Sequence, residues 1–206
     1  MPSFRRYSLG VTEQHGPSGR RPPNDGPKAA ARNRAALIAA ARAVYAEHGL
    51  DAPLSAIARR AGVGQGVLYR HFPDRAAVAA AVLEENVRQI EQAAEARGAT
   101  LPGVLGVVSW HLTESAAFIS LLHIDDAGQR DGTHAYAKVL SERVERALRE
   151  RLPEGHRLGE ANDLMLAIAM VSGAVAGPTR EERERRVLAA WRLLRVEVGA
   201  VRPHEG

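Results

Sequence analysis

Apolar side chains recur at spacings of three and four residues along most of this chain, as they do on one face of an amphipathic helix. The first such helix is predicted to start at Ala29 and to stop at Gly49, with its apolar positions at Leu37, Ile38, Ala41, Val44 and Tyr45. A second apolar run extends from Leu54 to Ala61. A helix of that length is unstable alone, so it must pack on its neighbours.

A break and an immediate restart follow in the stretch GVGQG, residues 62–66. Gly62 suits a tight turn because glycine adopts backbone angles that other residues resist. The apolar spacing resumes at Leu68 and Phe72, so two short helices joined by a turn, a helix-turn-helix, are predicted. The second helix, from Gln65 to Phe72, would turn Leu68 and Phe72 inward and leave a polar face outward, made of Gln65, Gly66, Tyr69 and Arg70.

Longer helices are predicted after this unit. Asp74 suits an N-cap, and the helix that follows should run to about Arg97. Further helices are expected near residues 101–124, 133–152, 158–176 and 179–200, separated by glycine and proline breaks. Aromatic residues make up only 4% of the chain, which also favours helices over sheets. The predicted fold class is all-α, with a three-helix N-terminal helix-turn-helix domain and a C-terminal helical domain.

Charge is distributed unevenly along the chain. Residues 1–28 carry five basic and two acidic groups, residues 29–75 carry seven and three, and residues 76–206 carry sixteen and nineteen. A basic first third joined to a slightly acidic body is typical of a nucleic-acid-binding end, although basic surface decoration would give the same count. Residues 1–28 are rich in Pro and Gly without apolar periodicity, so we expect a flexible basic tail there.

Composition argues against several classes of protein. The chain has no cysteine, which excludes disulfides, thiolate zinc sites and a thiol nucleophile. No apolar run approaches the ~18 residues of a membrane span, and the N-terminus lacks a secretory signal, so a cytoplasmic protein without a membrane partner is expected. The glycines at 62, 64 and 66 lack the preceding strand and following Lys-Ser/Thr of a phosphate-binding loop. We therefore expect neither an enzyme nor a cofactor.

The run LSAIARRAGVGQGVLYRHFPDRAAVAAAV, residues 54–82, is specific enough to name a family. With its Ala-Gly-Val turn, its Leu-Tyr-x-His-Phe second helix and a basic residue three positions after Phe72, it resembles the DNA-binding domain of the tetracycline-repressor (TetR) family. The resemblance covers roughly residues 30–85. It implies a homodimeric repressor that binds a palindromic double-stranded DNA operator and usually releases it when a small molecule enters the C-terminal domain. The alternative is a constitutive or architectural DNA-binding regulator that senses no small molecule.

The resemblance assigns DNA contacts to seven residues: Gln65, Gly66, Val67, Tyr69, Arg70, His71 and Arg75. Gln65 and Arg70 occupy positions that often contact base edges, and their side chains can pair with adenine and guanine. Tyr69 and His71 match positions that contact the DNA backbone or nearby bases. Arg75 stands where the family usually has lysine and suits a phosphate contact. Two departures matter, because Gly64 replaces a common serine and Val67 a common threonine, so one or two hydroxyl contacts are missing.

A ligand site in the C-terminal domain is expected along the predicted helix 101–124. Apolar walls and a few polar groups alternate there, as binding pockets require, in Trp110, His111, Ser115, Phe118, Leu122 and His123. The alternative is that His111 and Trp110 are ordinary core residues. Metal sensing is disfavoured, because the nearby acidic and histidine residues show no ligand spacing such as H-x-x-x-H.

The dimer interface is predicted on the last two helices. From Leu164 to Val175 the chain is almost wholly apolar, and a helix that is apolar all round must be covered all round. The final helix has an apolar stripe opposite a charged face. We expect these helices to pair with their copies in a four-helix interface, with contacts from Leu166, Met170, Ala174, Val187, Trp191 and Leu194. The alternative is that the apolar helix is the core of the monomer.

Overall fold

The computed structural model describes residues 26–49, 51–115, 130–160 and 162–204, with backbone only for residues 130–135. All regular structure in these ranges is α-helical. The helices are α1 (Gly26–His48), α2 (Leu54–Arg60), α3 (Gln65–His71), α4 (Arg75–Glu95), α5 (Leu101–Glu114), α6 (Arg130–Arg149), α7 (Asp163–Ala174) and α8 (Arg180–Leu193). The all-α prediction is confirmed, and no helix in the described ranges is long and apolar enough to cross a membrane.

Two hydrophobic cores organise these helices. The first lies between α1, α2, α3 and the first half of α4, and its most enclosed side chains are Leu37, Tyr45, Ile57, Leu68, Val78 and Val82. The second lies between the rest of α4 and helices α5 to α8, around Leu105, Leu148, Leu164 and Trp191. Helix α4 therefore contributes side chains to both cores.

The helix boundaries follow capping chemistry. The Oδ1 atom of Asp74 accepts a hydrogen bond from the backbone N–H of Ala77 at 2.7 Å, which confirms Asp74 as the N-cap of α4. Thr100 and Thr179 cap α5 and α8 in the same way. The start of α1 at Gly26 is three residues before the predicted Ala29, so the expected tail is shorter at this end. The tail residues 1–25 lie outside the described residues.

The last helix ends earlier than the sequence pattern predicted. It stops at Leu193 rather than near residue 200, because Arg195 adopts a left-handed backbone conformation with φ of 53°. The backbone N–H of Val196 then donates to the carbonyl of Trp191 at 3.0 Å. The chain beyond it is non-helical and contacts the start of α5, where the N–H of Gly199 donates to the carbonyl of Pro102 at 2.7 Å.

Two other predicted helices also differ in extent. The helix predicted near residues 158–176 begins only at Asp163, since residues 153–160 form successive turns. The helix predicted over residues 101–124 is present as α5 up to Glu114. Its remaining part, residues 116–124, lies outside the described residues.

Candidate functional site

The turn between α2 and α3 is closed by two backbone hydrogen bonds. The N–H of Val63 donates to the carbonyl of Ala58 at 3.0 Å, and the N–H of Gly62 donates to that of Arg59 at 3.1 Å. This pair of bonds is the Schellman motif, which needs a left-handed residue after the helix. Gly62 supplies it with φ of 70°. The predicted turn residue therefore sets the angle at which α3 leaves α2.

Helix α3 is anchored by two apolar residues and presents its polar face outward. Leu68 and Phe72 are buried in the first core. The exposed residues of this helix are Gln65, Gly66, Tyr69 and Arg70. Tyr69 is 52% exposed, so its side chain does not belong to the core. A short helix with polar groups held clear of the core is shaped to enter a DNA groove.

The glycines at the start of α3 leave open space in front of the helix. A Cβ atom added to Gly64 or Gly66 would meet nothing within 4 Å, so protein packing does not require glycine at either position. Gly64 is the N-cap of α3 and makes no side-chain capping bond. These backbone groups can therefore be approached closely from outside, which suits contact with a phosphate.

Two cationic side chains of the predicted DNA set make contacts within the protein. The Nε atom of Arg70 donates to the carbonyl of Gly66, one turn earlier, at 3.1 Å. The Arg75 guanidinium lies 5.9 Å from the centre of the Tyr45 ring, and its Nη1 atom is buried. Arg75 is thus half-buried at the start of α4, as are Val67 and His71 on α3.

Arg34 is a further cation at this surface that the sequence pattern did not single out. It projects from the exposed side of α1, and its guanidinium carbon lies 5.4 Å from the centre of the Phe72 ring. The contact places a positive charge beside the C-terminal end of α3. Only the general basicity of residues 29–75 pointed to it, because the pairing of α1 with Phe72 is a tertiary contact.

The predicted ligand region surrounds the end of α5. Trp110 is half-buried, with the guanidinium carbon of Arg42 at 5.3 Å from its ring centre. His111 is buried, and neither of its ring nitrogens has a hydrogen-bond partner in the part of the chain that the structure describes. Burial, and secondarily the charge of Arg42, lower the pKa of His111 to about 3, so its imidazole is neutral. Phe118, Leu122 and His123 lie outside the described residues.

Ser115, the last member of the ligand set that the structure describes, takes part in a buried hydrogen-bonded chain. Asn86 donates from Nδ2 to the Ser115 hydroxyl at 2.9 Å and accepts from Arg42 Nη2 at 2.6 Å. Sequence reasoning missed Arg42 and Asn86, since a single polar residue within an amphipathic helix does not reveal its tertiary partner. No group of three His, Cys, Asp or Glu residues suited to a metal ion occurs within the described ranges.

The predicted interface residues fall on different sides of α7 and α8. Val187 and Trp191 are fully buried inside the chain, where the Trp191 Nε1–H donates to the Ser109 hydroxyl at 2.9 Å. They are core residues, and their assignment to a dimer surface was wrong. Leu194 and Ala174 are half-buried, and Leu194 packs on the second core. Leu166 and Met170 are 57% and 54% exposed on α7.

Comparison with known proteins shows which regulators this architecture resembles. Residues 37–82 match the family model for bacterial regulatory proteins of the tetR family. The TetR transcriptional regulator SCO0520 of Streptomyces coelicolor has a similar structure, with 26% identity, a TM-score of 0.53, and coverage of 76% of this chain and 95% of its own. CprB, a TetR family protein of S. coelicolor A3(2), is 22% identical over 81% of this chain and 88% of its own, with a TM-score of 0.46.

The search of curated proteins gave no match. The matched region spans the second half of α1, the complete helix-turn-helix and the start of α4, which are the elements that hold α3 outward. The all-helical fold and the matched helix-turn-helix together make the chain similar to DNA-binding transcription regulators of the TetR family.

Proposed function

We propose that the protein is a homodimeric repressor that binds a palindromic operator and is released by a small-molecule effector. Residues 29–75 read the DNA, and residues 76–206 bind the effector and form the dimer. The observation that supports DNA reading most directly is the exposed polar face of α3, which Leu68 and Phe72 hold in place from the opposite side.

Within this proposal the residues of α3 divide into two roles. Gln65 and Arg70 read base edges. The bond from Arg70 to Gly66 uses only Nε, and the guanidinium carries two further nitrogens that suit the O6 and N7 atoms of guanine. Tyr69, His71 and Arg75 contact the backbone, with Val67 facing a thymine methyl group. Arg34 adds a phosphate contact, since it is exposed beside α3.

Selection of bound fragments from random DNA gives the operator, and fluorescence anisotropy then tests the two roles. Gln65→Ala or Arg70→Ala should lower affinity for the operator by ~1 to 3 kcal/mol while leaving random DNA almost unchanged. Arg34→Ala should weaken both and reduce the salt dependence of binding, because it removes a phosphate contact. Gly66→Ala should fold normally, given the open space around it, and bind all DNA less tightly.

Two outcomes would contradict the assignment. The first is an equal loss on operator and random DNA for Gln65→Ala, Arg70→Ala and Arg34→Ala, which would mean that α3 reads no sequence. The second is wild-type affinity in Gly66→Ala, which would show that the backbone of α3 stays away from the DNA.

Effector binding is proposed beside Trp110 and His111, within the set completed by Ser115, Phe118, Leu122 and His123. The support is His111 itself, because buried polar atoms without partners are uncommon and call for an explanation. An apolar or amphipathic molecule with one hydrogen-bonding group would satisfy the imidazole. The constitutive regulator remains the alternative function, and it needs no such molecule.

Thermal stability in the absence of DNA distinguishes these alternatives. A small-molecule panel should contain compounds that raise the melting temperature of the wild type but not that of His111→Leu. The same compounds should release the wild-type protein from the operator. A typical coupling would lower operator affinity about 5- to 150-fold. Stabilisation that persists in His111→Leu would place the ligand elsewhere. A panel without any stabilising or releasing compound would favour the constitutive regulator.

A further inference from the structure

Asn86 makes hydrogen bonds to both the DNA-binding and the C-terminal parts of the chain. Asn86 lies midway along α4, and its amide bonds in two directions: Oδ1 accepts from Arg42 on α1, and Nδ2 donates to Ser115 at the end of α5. Asn86 is 5% exposed and Ser115 is 1% exposed. The chain Arg42–Asn86–Ser115 therefore crosses three helices beneath the surface, at the boundary between the two cores.

The side chains of Arg42, Asn86 and Ser115 depend on one another for hydrogen-bond partners. Burial lowers the pKa of Arg42 and thereby disfavours its charged form, while Glu85 and Glu114 act in the opposite direction. Removal of any one member would leave a buried donor or acceptor of its neighbour unpaired, which costs more than an average hydrogen bond contributes. An amide also fixes direction, because its oxygen only accepts and its nitrogen only donates. The three helices are consequently held in one mutual arrangement.

The two ends of this hydrogen-bonded chain of side chains lie near the helix-turn-helix and near the proposed effector site, which the proposed function must couple. Helix α1 packs on α2 and α3 and carries Arg34 beside Phe72. The end of α5 carries His111 one turn before Ser115. It is also held by α8, since Arg183 Nε donates to the Thr113 carbonyl at 2.9 Å and Arg180 pairs with Glu114 at 2.7 Å.

We propose that Asn86 is a positioning residue that sets operator affinity by locking α1, and with it the helix-turn-helix, to the end of α5. The inference rests on the proposed repressor function and names the route by which it is regulated. A molecule that moves the end of α5 breaks the Ser115 bond first. Asn86 then loses its fixed orientation, and α1 is held less firmly against the C-terminal domain.

Substitutions of Asn86 test the lock in the effector-free protein. Asn86→Leu keeps the side-chain size and removes both bonds, so operator affinity should fall about 5- to 150-fold. The variant should also lose discrimination between operators with the selected half-site spacing and with one added base pair, because the reading units are no longer held at a fixed separation. Asn86→Asp should restore both properties, since its carboxylate can accept from Arg42 and from the Ser115 hydroxyl.

Two hydroxyls of α5 provide a matched control. Ser115→Ala removes the bond to Asn86 and should weaken operator binding in the same direction as Asn86→Leu. Thr113→Val removes an equally buried hydroxyl, whose partner among the described residues is the Trp110 carbonyl of the same helix at 2.7 Å, and should bind as the wild type does. Wild-type affinity and spacing discrimination in folded Asn86→Leu would overturn the proposal. So would failure of Asn86→Asp to restore them, which would indicate a merely structural residue. Failure of the wild type to select any operator would instead overturn the proposed function.

Discussion

His111 is enclosed at the end of α5 as a neutral imidazole, and this makes folding sensitive to mild acid. Burial lowers its pKa to about 3, with the charge of Arg42 acting in the same direction and Glu85 against it. In the unfolded chain the imidazole takes up a proton near its ordinary pKa of about 6.5. Between these values the unfolded state binds more protons, so the free energy of unfolding falls as the pH falls.

We expect the wild type to lose about 1 kcal/mol of stability between pH 7.5 and pH 5.5, measured by urea unfolding. His111→Leu should remove most of this dependence, since an apolar side chain has no proton to bind. His48→Gln is the control, because His48 is exposed at the end of α1 and its replacement should leave the pH dependence intact. An equal slope in wild type and His111→Leu would show that the buried imidazole is not its origin.

Sequence reasoning at the residue scale worked best where burial follows helical periodicity. Leu68 and Phe72 were predicted inward and Tyr69 and Arg70 outward, and the structure has them so. The sequence pattern could not predict that Arg75 turns towards Tyr45, 30 positions away along the chain. Long side chains choose among several directions, and tertiary neighbours decide which one is occupied.

At the scale of the element, caps and turns were predictable while the end of the chain was not. Asp74 and Gly62 have local signatures, and both stand where the sequence placed them. The predicted last helix is too long because Leu194 and Val198 continue the apolar spacing of the residues before them. Their side chains are half-buried against the second core, but the backbone leaves the helix at Arg195. A non-helical segment can also cover a core, so apolar spacing alone does not specify a helix.

The close approach of this C-terminal segment to α5 requires a small residue at position 106. A Cβ atom on Gly106 would lie 2.5 Å from the carbonyl oxygen of Ala200. Gly106→Ala should therefore displace the segment, strain its bond to Pro102 and destabilise the protein by ~1 to 3 kcal/mol. Thermal or urea unfolding measures this loss directly.

Removing residues 199–206 provides the matched background for Gly106→Ala. The truncation removes the three atoms nearest to the added methyl group, which belong to Gly199 and Ala200, so the substitution should become neutral or slightly stabilising, as alanine is the better helix former. A loss of stability that persists after the truncation would assign the effect to other neighbours of Gly106.

At the scale of the whole molecule, the exposed apolar face of α7 is what a single chain leaves uncovered. Leu166 and Met170 are each more than half exposed, and Leu188 of α8 is 40% exposed. The sequence identified both helices as too apolar for a free surface. It could not separate the side of α8 that faces the core from the side that faces outward, because Val187 and Leu188 are adjacent and equally apolar. The buried position of Trp191 settles which stripe belongs to the core.

We expect Met170→Glu and Leu166→Glu to give folded monomers with much weaker operator binding, as measured by sedimentation and anisotropy. A carboxylate at the centre of a two-fold interface meets its own copy, so each substitution places two like charges in an apolar contact. The proposed dimer would also hold two copies of α3 at a separation of about one DNA turn, ~34 to 36 Å, which a palindromic operator requires. Loss of the dimer should therefore reduce binding to a full operator far more than binding to a half-site.

Val139→Glu is the control for surface charge, because Val139 is 50% exposed on α6, outside the proposed interface helices. It should remain dimeric and bind the operator normally. Val187→Glu should have a different effect, because it places a charge inside the second core. We expect it to unfold the C-terminal domain rather than to give a folded monomer, and circular dichroism distinguishes these two outcomes. A wild type that sediments as a monomer at micromolar concentration would contradict the interface. In that case the apolar face of α7 would need another partner, and the symmetry argument for a palindromic operator would no longer hold.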